Sequence, residues 1–368
     1  MSSINKLASI NEDKYFEIKT INIKDAFNHI NNHNYVFIDI RSPLEYEQDH
    51  IINAINIPLL ENEERKEIGI IYKQLGKEAA IRKGYEIVTP KLKQILGKYE
   101  KYKDKTIIVY CWRGGLRSYS VTKLLSQHNF KCYQLIGGYK AYRTELRKRL
   151  YNYNLKSKFI VIRGNTGTGK TLFLRTTKLP KLDLEELAQH RSSVFGKLNL
   201  KPRTQKMFET LLYFNLKKLN NEPYILIEGE SRRIGNIIIP ESIYKKINES
   251  INVVFECDIE QRIKIIIDEY GLINNSNKEI LRKIVDSIKN KLPKKTYHEL
   301  KLRIENKETY KFVKLLLEDY YDPLYKHTIK QIKNKKKYKI KYNEINEIEN
   351  KIKDIIKEIN LYNNSNNT

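Results

Sequence analysis

The segment that most constrains the fold is a glycine-rich loop at residues 164–171, which fits the pattern G-x-x-x-x-G-K-[ST] at every fixed position. It follows an apolar run at residues 159–163 that predicts a strand, and it should open a helix. A loop between a strand and a helix directs several backbone amides at one spot, where the helix dipole adds partial positive charge. The segment therefore predicts a parallel α/β sheet that binds a polyphosphate, without showing that the ligand is a nucleotide.

Each chemical group of this phosphate loop, residues 164–171, has a predicted role. The amides cradle a diphosphate, Lys170 neutralises it, and the Thr171 hydroxyl lies on Mg²⁺. Residues 224–228 form an apolar strand that ends in an acid, so Glu228 either adds a carboxylate to this Mg²⁺ site or simply caps the strand. The candidate phosphate-binding residues are Gly164, Gly167, Gly169, Lys170 and Thr171.

A second loop of related design, residues 111–118, lies between a predicted strand at 105–110 and a predicted helix at 118–127. Two glycines let its backbone curl, and two arginines add full positive charges. A cysteine at such a position should have a depressed pKa and act as a nucleophile, so Cys111 is the candidate catalytic residue. We call this segment the cysteine loop; its candidate anion-binding residues are Trp112, Arg113, Gly114, Gly115, Leu116 and Arg117.

The chemistry of the cysteine loop stays open at this point. Cys111 and Arg117 also satisfy Cys-x5-Arg, the pattern of cysteine phosphatases, so the loop alone does not separate a phosphatase from a sulfur or selenium carrier. Cys132 and Cys257 lie in apolar strands and are predicted to pack in the core. Three widely spaced cysteines form neither a disulfide framework nor a zinc site, which fits a reducing compartment.

The charge of the chain indicates a polyanionic partner. Lys and Arg number 69 against 44 Asp and Glu, a net charge of +25, which favours nucleic acid. The chain is also rich in Ile, Asn and Lys together, so a compositional bias explains the charge about as well. No apolar run reaches the roughly 18 residues of a membrane helix, and residues 1–19 lack the core of a signal peptide. We therefore expect a cytoplasmic protein without a membrane partner.

Strands that alternate with helices predict two successive α/β domains, the second with a helical portion beyond residue 259. Predicted strands in the first domain include residues 34–40 and 131–136, and the polar, basic stretch 144–157 is interpreted as the connection. The predicted domains are residues 1–145, residues 146–340, and a C-terminal helix with a disordered tail at 341–368. Five isoleucines predict one apolar face of that helix: Ile345, Ile348, Ile352, Ile355 and Ile359.

Taken together, these motifs resemble the bacterial tRNA 2-selenouridine synthase family over roughly residues 34–330. Besides the two loops, the resemblance rests on residues 38–46, 50–51, 54–58, 64–65, 72–76, 79–81, 137–143, 182–185, 190–196, 227–232 and 320–323. It implies a rhodanese-like parallel-sheet domain followed by a P-loop NTPase-like α/β domain with a helical C-terminal portion. Where rhodanese-like turns usually carry glycine, this chain has Asp49 and Asn53, residues that tolerate a left-handed backbone.

The resemblance also implies an activity, the replacement of sulfur by selenium in wobble 2-thiouridine of tRNA. Geranyl diphosphate first alkylates the sulfur, and selenium from selenophosphate then displaces the geranylthio group. Lys170 and Thr171, with Mg²⁺, would stabilise the departing diphosphate. Cys111 would either carry selenium as a perselenide or only assist the chemistry of selenophosphate, with Arg113 and Arg117 as charge partners. The implied partners are a tRNA carrying 2-thiouridine and a supplier of selenophosphate.

Two other functions compete with this interpretation. One is a sulfurtransferase or cysteine phosphatase fused to an ATP-dependent kinase-like domain, and the other is a non-catalytic module that binds RNA or a nucleotide.

Asp39 and Arg41 are expected to support the cysteine loop structurally. The candidate tRNA contacts, which could equally be a solvated helix face, are Arg143, Arg147, Lys148 and Arg149.

Overall fold

The computed structural model describes residues 17–191, 200–229, 231–271, 278–325 and 337–365, with side chains as far as residue 359. The chain divides into two compact units. Unit 1 covers Met1–Tyr151 and Glu209–Leu211, and unit 2 covers Asn152–Phe208 and Leu212–Thr368. None of the helices in the described part of the chain is both long and apolar enough to cross a bilayer.

Unit 1 contains a five-stranded sheet in which every pair is parallel, in the order β1-β5-β4-β2-β3. The strands are β1 (Thr20–Ile21), β2 (Tyr35–Asp39), β3 (Ile55–Asn56), β4 (Thr106–Tyr110) and β5 (Cys132–Leu135). The helices are α1 (Ile23–Asn28), α2 (Pro43–Gln48), α3 (Asn62–Val88), α4 (Leu92–Gly97), α5 (Leu116–Gln127) and α6 (Gly138–Tyr151). The strands and helix predicted around the cysteine loop are confirmed, with ends that shift by one or two residues.

The middle strand, β4, explains why unit 1 folds around the cysteine loop. Ile107, Ile108 and Val109 are fully buried, as expected for a parallel strand covered on both faces. β4 pairs with β2 on one side and β5 on the other, so its end is fixed from both sides. Long α3 is broken at Gly76, whose backbone φ of 86° interrupts the helix and leaves two arms.

The prediction that residues 144–157 form a connection between the two domains was wrong for residues 144–151, which are helical. α6 continues to Tyr151, because Leu146 and Leu150 are buried on one face while the basic side chains lie between them. The basic composition of this stretch concealed an apolar spacing of four residues, which is typical of a helix. The predicted domain limits at 145 and 340 stay predictions.

Unit 2 contains a second five-stranded parallel sheet, in the order β12-β11-β6-β8-β7. Its strands are β6 (Lys158–Gly164), β7 (Lys181–Leu182), β8 (Tyr224–Glu228), β11 (Ile251–Glu256) and β12 (Lys337–Lys341), and an antiparallel pair is formed by β9 (Arg233–Ile234) and β10 (Ile237–Ile238). The helices are α7 (Lys170–Thr176), α8 (Leu184–Ala188), α9 (Gln205–Leu219), α10 (Glu241–Glu249), α11 (Ile259–Tyr270), α12 (Lys278–Ser287), α13 (Lys294–Glu305), α14 (Thr309–Leu316) and α15 (Asn346–Ser365).

The region beyond residue 259 is mostly helical, as predicted, with one exception. Strand β12 was missed, because three of its five residues are lysines; it pairs in parallel with β11 and buries Ile340. Helix α15 packs the predicted isoleucine face against this sheet, with Ile348 and Ile352 fully buried. Helix α15 extends to Ser365, and the last part of the predicted disordered tail, residues 366–368, lies outside the described part of the chain.

Candidate active-site loops

The cysteine loop begins where β4 ends and leads into α5. Two hydrogen bonds from the start of α6 hold its first residues: the Tyr139 amide donates to the Cys111 carbonyl and the Lys140 amide to the Trp112 carbonyl, both at 2.9 Å. These bonds fix the start of the loop, and the amides of Ser118 and Gly115 further along it contact the Cys111 thiol. The predicted junction of strand, loop and helix is thereby present.

Gly114 is required by the shape of this loop. Its φ is 66°, and a Cβ atom there would lie 2.6 Å from the Leu135 carbonyl oxygen and 2.7 Å from the Gly137 amide nitrogen. Any other residue would therefore combine an unfavourable backbone conformation with a steric clash. Gly114 thus lets the loop pass directly against the end of β5.

The Cys111 thiol is buried among donors. Its Sγ lies 3.2 Å from Ser118 Oγ, and only 3% of the residue is exposed. Burial alone raises the pKa of this thiol, but the Ser118 hydroxyl, the charge of Arg117 and the amides of Ser118 and Gly115 together hold the pKa below its ordinary value. Burial raises the pKa of Cys132 and of Cys257 instead. Cys111 is therefore the thiol best suited to be a nucleophile.

The two arginines of the cysteine loop differ in exposure. Arg113 is exposed, whereas Arg117 is partly buried, with its Nη1 3.7 Å from Glu45 Oε2. That Nη1 is shielded from solvent and makes no hydrogen bond within the residues that the structure describes. A buried donor of this kind favours an oxyanion beside Cys111.

Gln134, on β5, holds the cysteine loop and was missed in the sequence. Its Nε2 donates to the carbonyls of Gly114 at 2.8 Å and Gly115 at 3.2 Å, and to Ser118 Oγ at 2.9 Å. Ser118 Oγ in turn lies beside the Cys111 sulfur. The signal that could have pointed to Gln134 is its amide side chain within the otherwise apolar strand β5, because a buried polar side chain needs hydrogen-bond partners.

Asp39 and Arg41 form a buried pair in the same unit. Arg41 Nε lies 3.0 Å from both carboxylate oxygens of Asp39, its Nη2 donates to the Asp49 carbonyl at 2.7 Å, and its guanidinium stacks 3.9 Å from the centre of the Tyr139 ring. This arrangement supports the strand ends around the loop. The expected left-handed backbone is present at Asn53, with φ 62°, but Asp49 is extended and has its carboxylate hydrogen-bonded to Tyr139.

The phosphate loop joins the end of β6 to the start of α7, as predicted. Lys170 Nζ donates to the Asn165 carbonyl at 3.2 Å and lies 3.6 Å from Glu228 Oε1. The Thr171 hydroxyl donates to Glu228 Oε2 at 3.1 Å. Glu228 therefore faces both the lysine and the hydroxyl, which is more than capping a strand requires.

Three residues without a predicted role brace the phosphate loop. Arg262 donates to the Thr166 carbonyl at 2.9 Å and pairs with both carboxylate oxygens of Asp322 at 3.0 and 2.6 Å. Asp322 also accepts from Asn165 Nδ2 at 3.0 Å. The Tyr342 hydroxyl donates to the Thr168 carbonyl at 2.8 Å. Asp322 belongs to the family-like segment 320–323, but nothing in the sequence pointed to Arg262 or Tyr342.

A second carboxylate lies near Glu228. Burial raises the pKa of Asp183, and the like charge of Glu228 raises it further. The hydrogen bond from the Glu186 amide lowers this pKa but does not offset the other two effects. Within the described ranges no cluster of three or more His, Cys, Asp or Glu side chains could hold a metal ion. Two carboxylates and the Thr171 hydroxyl nevertheless fit Mg²⁺, which commonly takes one or two carboxylates and completes its shell with phosphate and water.

The candidate tRNA contacts all lie on α6. Arg149 Nε donates to Glu145 at 2.7 Å, and the Arg147 guanidinium lies 5.4 Å from the centre of the Tyr151 ring. Two parts of the family-like segments, residues 192–196 and Glu230, lie outside the described part of the chain.

Comparisons with known proteins match both units. The family model for the tRNA 2-selenouridine synthase AAA domain matches residues 157–355, more than half of the chain, and that for the rhodanese-like domain matches residues 22–145. The tRNA 2-selenouridine synthase of Shewanella piezotolerans is 32% identical over 322 residues, which cover 79% of this chain and 88% of that protein. The synthase of Nitrosomonas europaea is 36% identical over 64% of this chain, a match that spans 63% of the relative.

A solved structure, the N-terminal domain of a putative ATP/GTP binding protein from Clostridium difficile 630, is 45% identical over 35% of this chain and 98% of its own, with a TM-score of 0.33. The family match extends over both loops and over most of the chain. The chain belongs to the tRNA 2-selenouridine synthase family.

Proposed function

We propose that this protein replaces sulfur by selenium in wobble 2-thiouridine of tRNA, through an S-geranyl intermediate. The observation that carries the proposal is the presence, in one chain, of two different loops between a strand and a helix, one with a thiol of lowered pKa and one with a lysine facing a carboxylate. A reaction that first expels diphosphate and then consumes selenophosphate needs both kinds of loop. Neither loop alone supplies both steps.

The first step is assigned to the phosphate loop. The thiocarbonyl sulfur of the nucleoside attacks the first carbon of geranyl diphosphate, a carbon–sulfur bond forms, and diphosphate leaves with the electron pair of the broken carbon–oxygen bond. Lys170 and the loop amides hold the diphosphate where this charge develops. Thr171 and Glu228, with Asp183 close by, would hold Mg²⁺, which neutralises part of the charge on a diphosphate.

The second step is assigned to the cysteine loop. Arg113, Arg117 and the loop amides bind the phosphoryl oxygens of selenophosphate. The Cys111 thiolate attacks phosphorus, takes the phosphoryl group and frees a hydrogen selenide anion. That anion forms a bond to C2, geranylthiolate leaves with its electron pair, and water later releases phosphate from Cys111. The step uses the same thiolate chemistry that the Cys-x5-Arg spacing serves in phosphatases.

The charge of the chain suits the proposed macromolecular substrate. A net charge of +25 favours contacts with tRNA phosphates, which fix position rather than sequence. We further propose that a selenophosphate-producing enzyme supplies the second substrate and that the reaction takes place in the cytoplasm.

The proposal is tested with the purified full chain, thiolated tRNA, geranyl diphosphate, Mg²⁺ and selenophosphate, followed by mass spectrometry of the digested nucleosides. The expected product is 2-selenouridine, and omission of selenophosphate should leave S-geranyl-2-thiouridine. Steady hydrolysis of ATP without any change in the nucleosides would instead support the kinase-like alternative and overturn the proposal.

A further inference from the structure

Unit 1 contains a cavity of roughly 890 Å³ beside the cysteine loop. This volume lies within the range of about 300–1,000 Å³ that is usual for small-molecule sites. Cys111 and Trp112 form part of its wall, so the cavity lies directly beside the nearly buried cysteine. Much of the remaining wall is aliphatic, and includes Leu60, Ile68, Ile70, Ile81, Val88 and Leu124.

The shape of the cavity follows from the break in α3. Lining residues lie on both arms of this helix, at 65–73 before Gly76 and at 77–88 after it. Gly76 has φ 86°, and a Cβ atom added there would meet no described atom within 4 Å, so backbone conformation alone explains a glycine at this position. The break opens the two arms against α5 and the cysteine loop and leaves an apolar wall between them.

An apolar wall of this size is not explained by the polar reactants of the second step. Selenophosphate and a uridine base both need hydrogen-bonding partners, and an apolar wall beside a thiolate raises the cost of its charge. Several large apolar side chains on this wall also remain in solvent: Ile70 is 46% exposed, and Tyr72 and Leu116 are exposed as well. Exposed apolar surface beside a reactive group is typical of a site for a hydrocarbon ligand.

We infer that this cavity binds the geranyl chain of the S-geranyl nucleoside while selenium replaces sulfur; the inference rests on the proposed function. The hydrocarbon lies along the arms of α3, and the sulfur lies at the Cys111 end. When the C2–Se bond forms and the C2–S bond breaks, geranylthiolate leaves with the electron pair. Arg113 and Arg117, which line the same cavity, lie on the side where this negative charge appears.

The chain carries a built-in reporter for this site. Trp112 is its single tryptophan and lies in the cavity wall, so a ligand that fills the cavity should change its fluorescence. The titration uses the full chain and two synthetic anticodon stem-loop RNAs, one with S-geranyl-2-thiouridine and one with S-methyl-2-thiouridine. The geranyl RNA should bind at least about tenfold more tightly and change the Trp112 emission, because the methyl group buries far less apolar surface.

Two substitutions on α3 form a matched pair. Ile70 lines the cavity, whereas Leu75 is 71% exposed on the same helix and does not line it. Ile70→Asp should remove the preference for the geranyl RNA and leave binding of the methyl RNA unchanged, because a geranyl chain that covers the carboxylate strips its hydration, whereas the methyl group is too short to cover it. Leu75→Asp should behave like the unsubstituted protein. Ile81→Trp, which fills the cavity instead of charging it, should also abolish the preference, although its added tryptophan requires detection by RNA mobility.

Conversion of the preformed geranyl RNA with selenophosphate distinguishes a failure of the cavity assignment from a failure of the proposed function. If the unsubstituted protein makes 2-selenouridine but does not distinguish geranyl from methyl, and Ile70→Asp has no effect, the cavity assignment is overturned and the proposed function stands. If no selenouridine forms from the geranyl RNA at all, the proposed function itself fails. Selenation that falls about tenfold or more in Ile70→Asp but not in Leu75→Asp supports the cavity assignment.

Discussion

The cysteine loop and the phosphate loop each follow the middle strand of a five-stranded parallel sheet, but they treat their positive charges differently. Lys170 of the phosphate loop lies near the Glu228 carboxylate, which also accepts from Thr171. In the cysteine loop, Arg113 is exposed and Arg117 lies 3.7 Å from Glu45, with one buried donor that lacks a hydrogen bond among the described residues.

This difference indicates two ways of binding an anion. A phosphate group that enters the phosphate loop approaches the Glu228 carboxylate as well as the Lys170 ammonium, so the proposed Mg²⁺ would reduce the repulsion between the two negative charges. In the cysteine loop, Arg117 Nη1 is a buried donor without a hydrogen bond among the described residues, so an oxyanion that enters this loop would gain a donor there. Under the proposed function, the same position in a sheet would serve a Mg²⁺-assisted site in one unit and a thiolate site in the other.

The sharpest test of this contrast is Cys111→Ser. A serine hydroxyl is far less acidic than the thiol whose pKa the loop lowers, so selenation should fall by about a thousandfold or more. Geranylation should continue, and S-geranyl-2-thiouridine should accumulate in the tRNA. Mass spectrometry of digested nucleosides measures both products. Equal loss of geranylation would show that the two loops do not divide the reaction.

Lys170→Ala should have the next largest effect, on the other step. Loss of the ammonium group removes stabilisation of the departing diphosphate, and geranyl transfer should slow by about 100- to 1,000-fold. Selenation of preformed geranyl tRNA should be unchanged, because the proposed function assigns that reaction to the cysteine loop. Lys178, a basic residue outside the phosphate loop, provides a control through Lys178→Ala, which should keep the full rate of geranyl transfer.

The parts that the sequence predicted are those with local signals. Both loops combine glycine spacing with an apolar strand before them, so their place between strand and helix followed from the residues. The isoleucine face of α15 also followed from spacing alone. These features depend on residues within a few positions of one another, where periodicity and backbone preference act directly.

The parts that were missed depend on residues that are distant in sequence. Gln134 bonds to carbonyls 19 and 20 positions away, and Tyr342 bonds to Thr168 across 174 positions. Strand β12 was hidden by its lysines, because an edge strand needs only one buried side chain to join the sheet. The cavity depends on a helix break at Gly76 whose direction no local pattern specifies. Tertiary pairing decides each of these features.

The pKa of Cys111 offers a smaller test that involves no nucleic acid. Burial opposes ionisation, but Ser118 and Arg117 outweigh it and lower the pKa, so the thiolate should be present at pH values where an ordinary thiol is still protonated. Arg117→Gln should raise the pKa, which would slow alkylation by iodoacetamide near neutral pH and leave the rate at high pH nearly unchanged. A pH–rate profile followed by intact-protein mass spectrometry measures the shift. An unchanged profile would mean that the arginine does not stabilise the thiolate.

Gln134→Ala should affect the shape of the cysteine loop more than its chemistry. The substitution leaves the carbonyls of Gly114 and Gly115 without their side-chain donor, at a cost of about 1–3 kcal/mol in the stability of unit 1. Selenation should fall more than geranylation, since Ser118 also loses a partner beside the sulfur. Chemical denaturation and the two product assays measure these effects.

Tyr342→Phe is the corresponding change at the phosphate loop and should be the mildest. It removes the hydrogen bonds of the Tyr342 hydroxyl with the Thr168 carbonyl and the Cys257 thiol, and leaves the packing of the ring against Phe255 intact. The cost should be about 1 kcal/mol in the stability of unit 2, with a few-fold weaker binding of diphosphate in the presence of Mg²⁺. Calorimetric titration with inorganic diphosphate, with and without Mg²⁺, measures the binding. If the variant loses only the Mg²⁺-dependent part of this affinity, Tyr342 shapes the loop for the metal complex. If the unsubstituted protein binds diphosphate equally well with and without Mg²⁺, the loop recognises the anion alone and the contrast with the cysteine loop disappears.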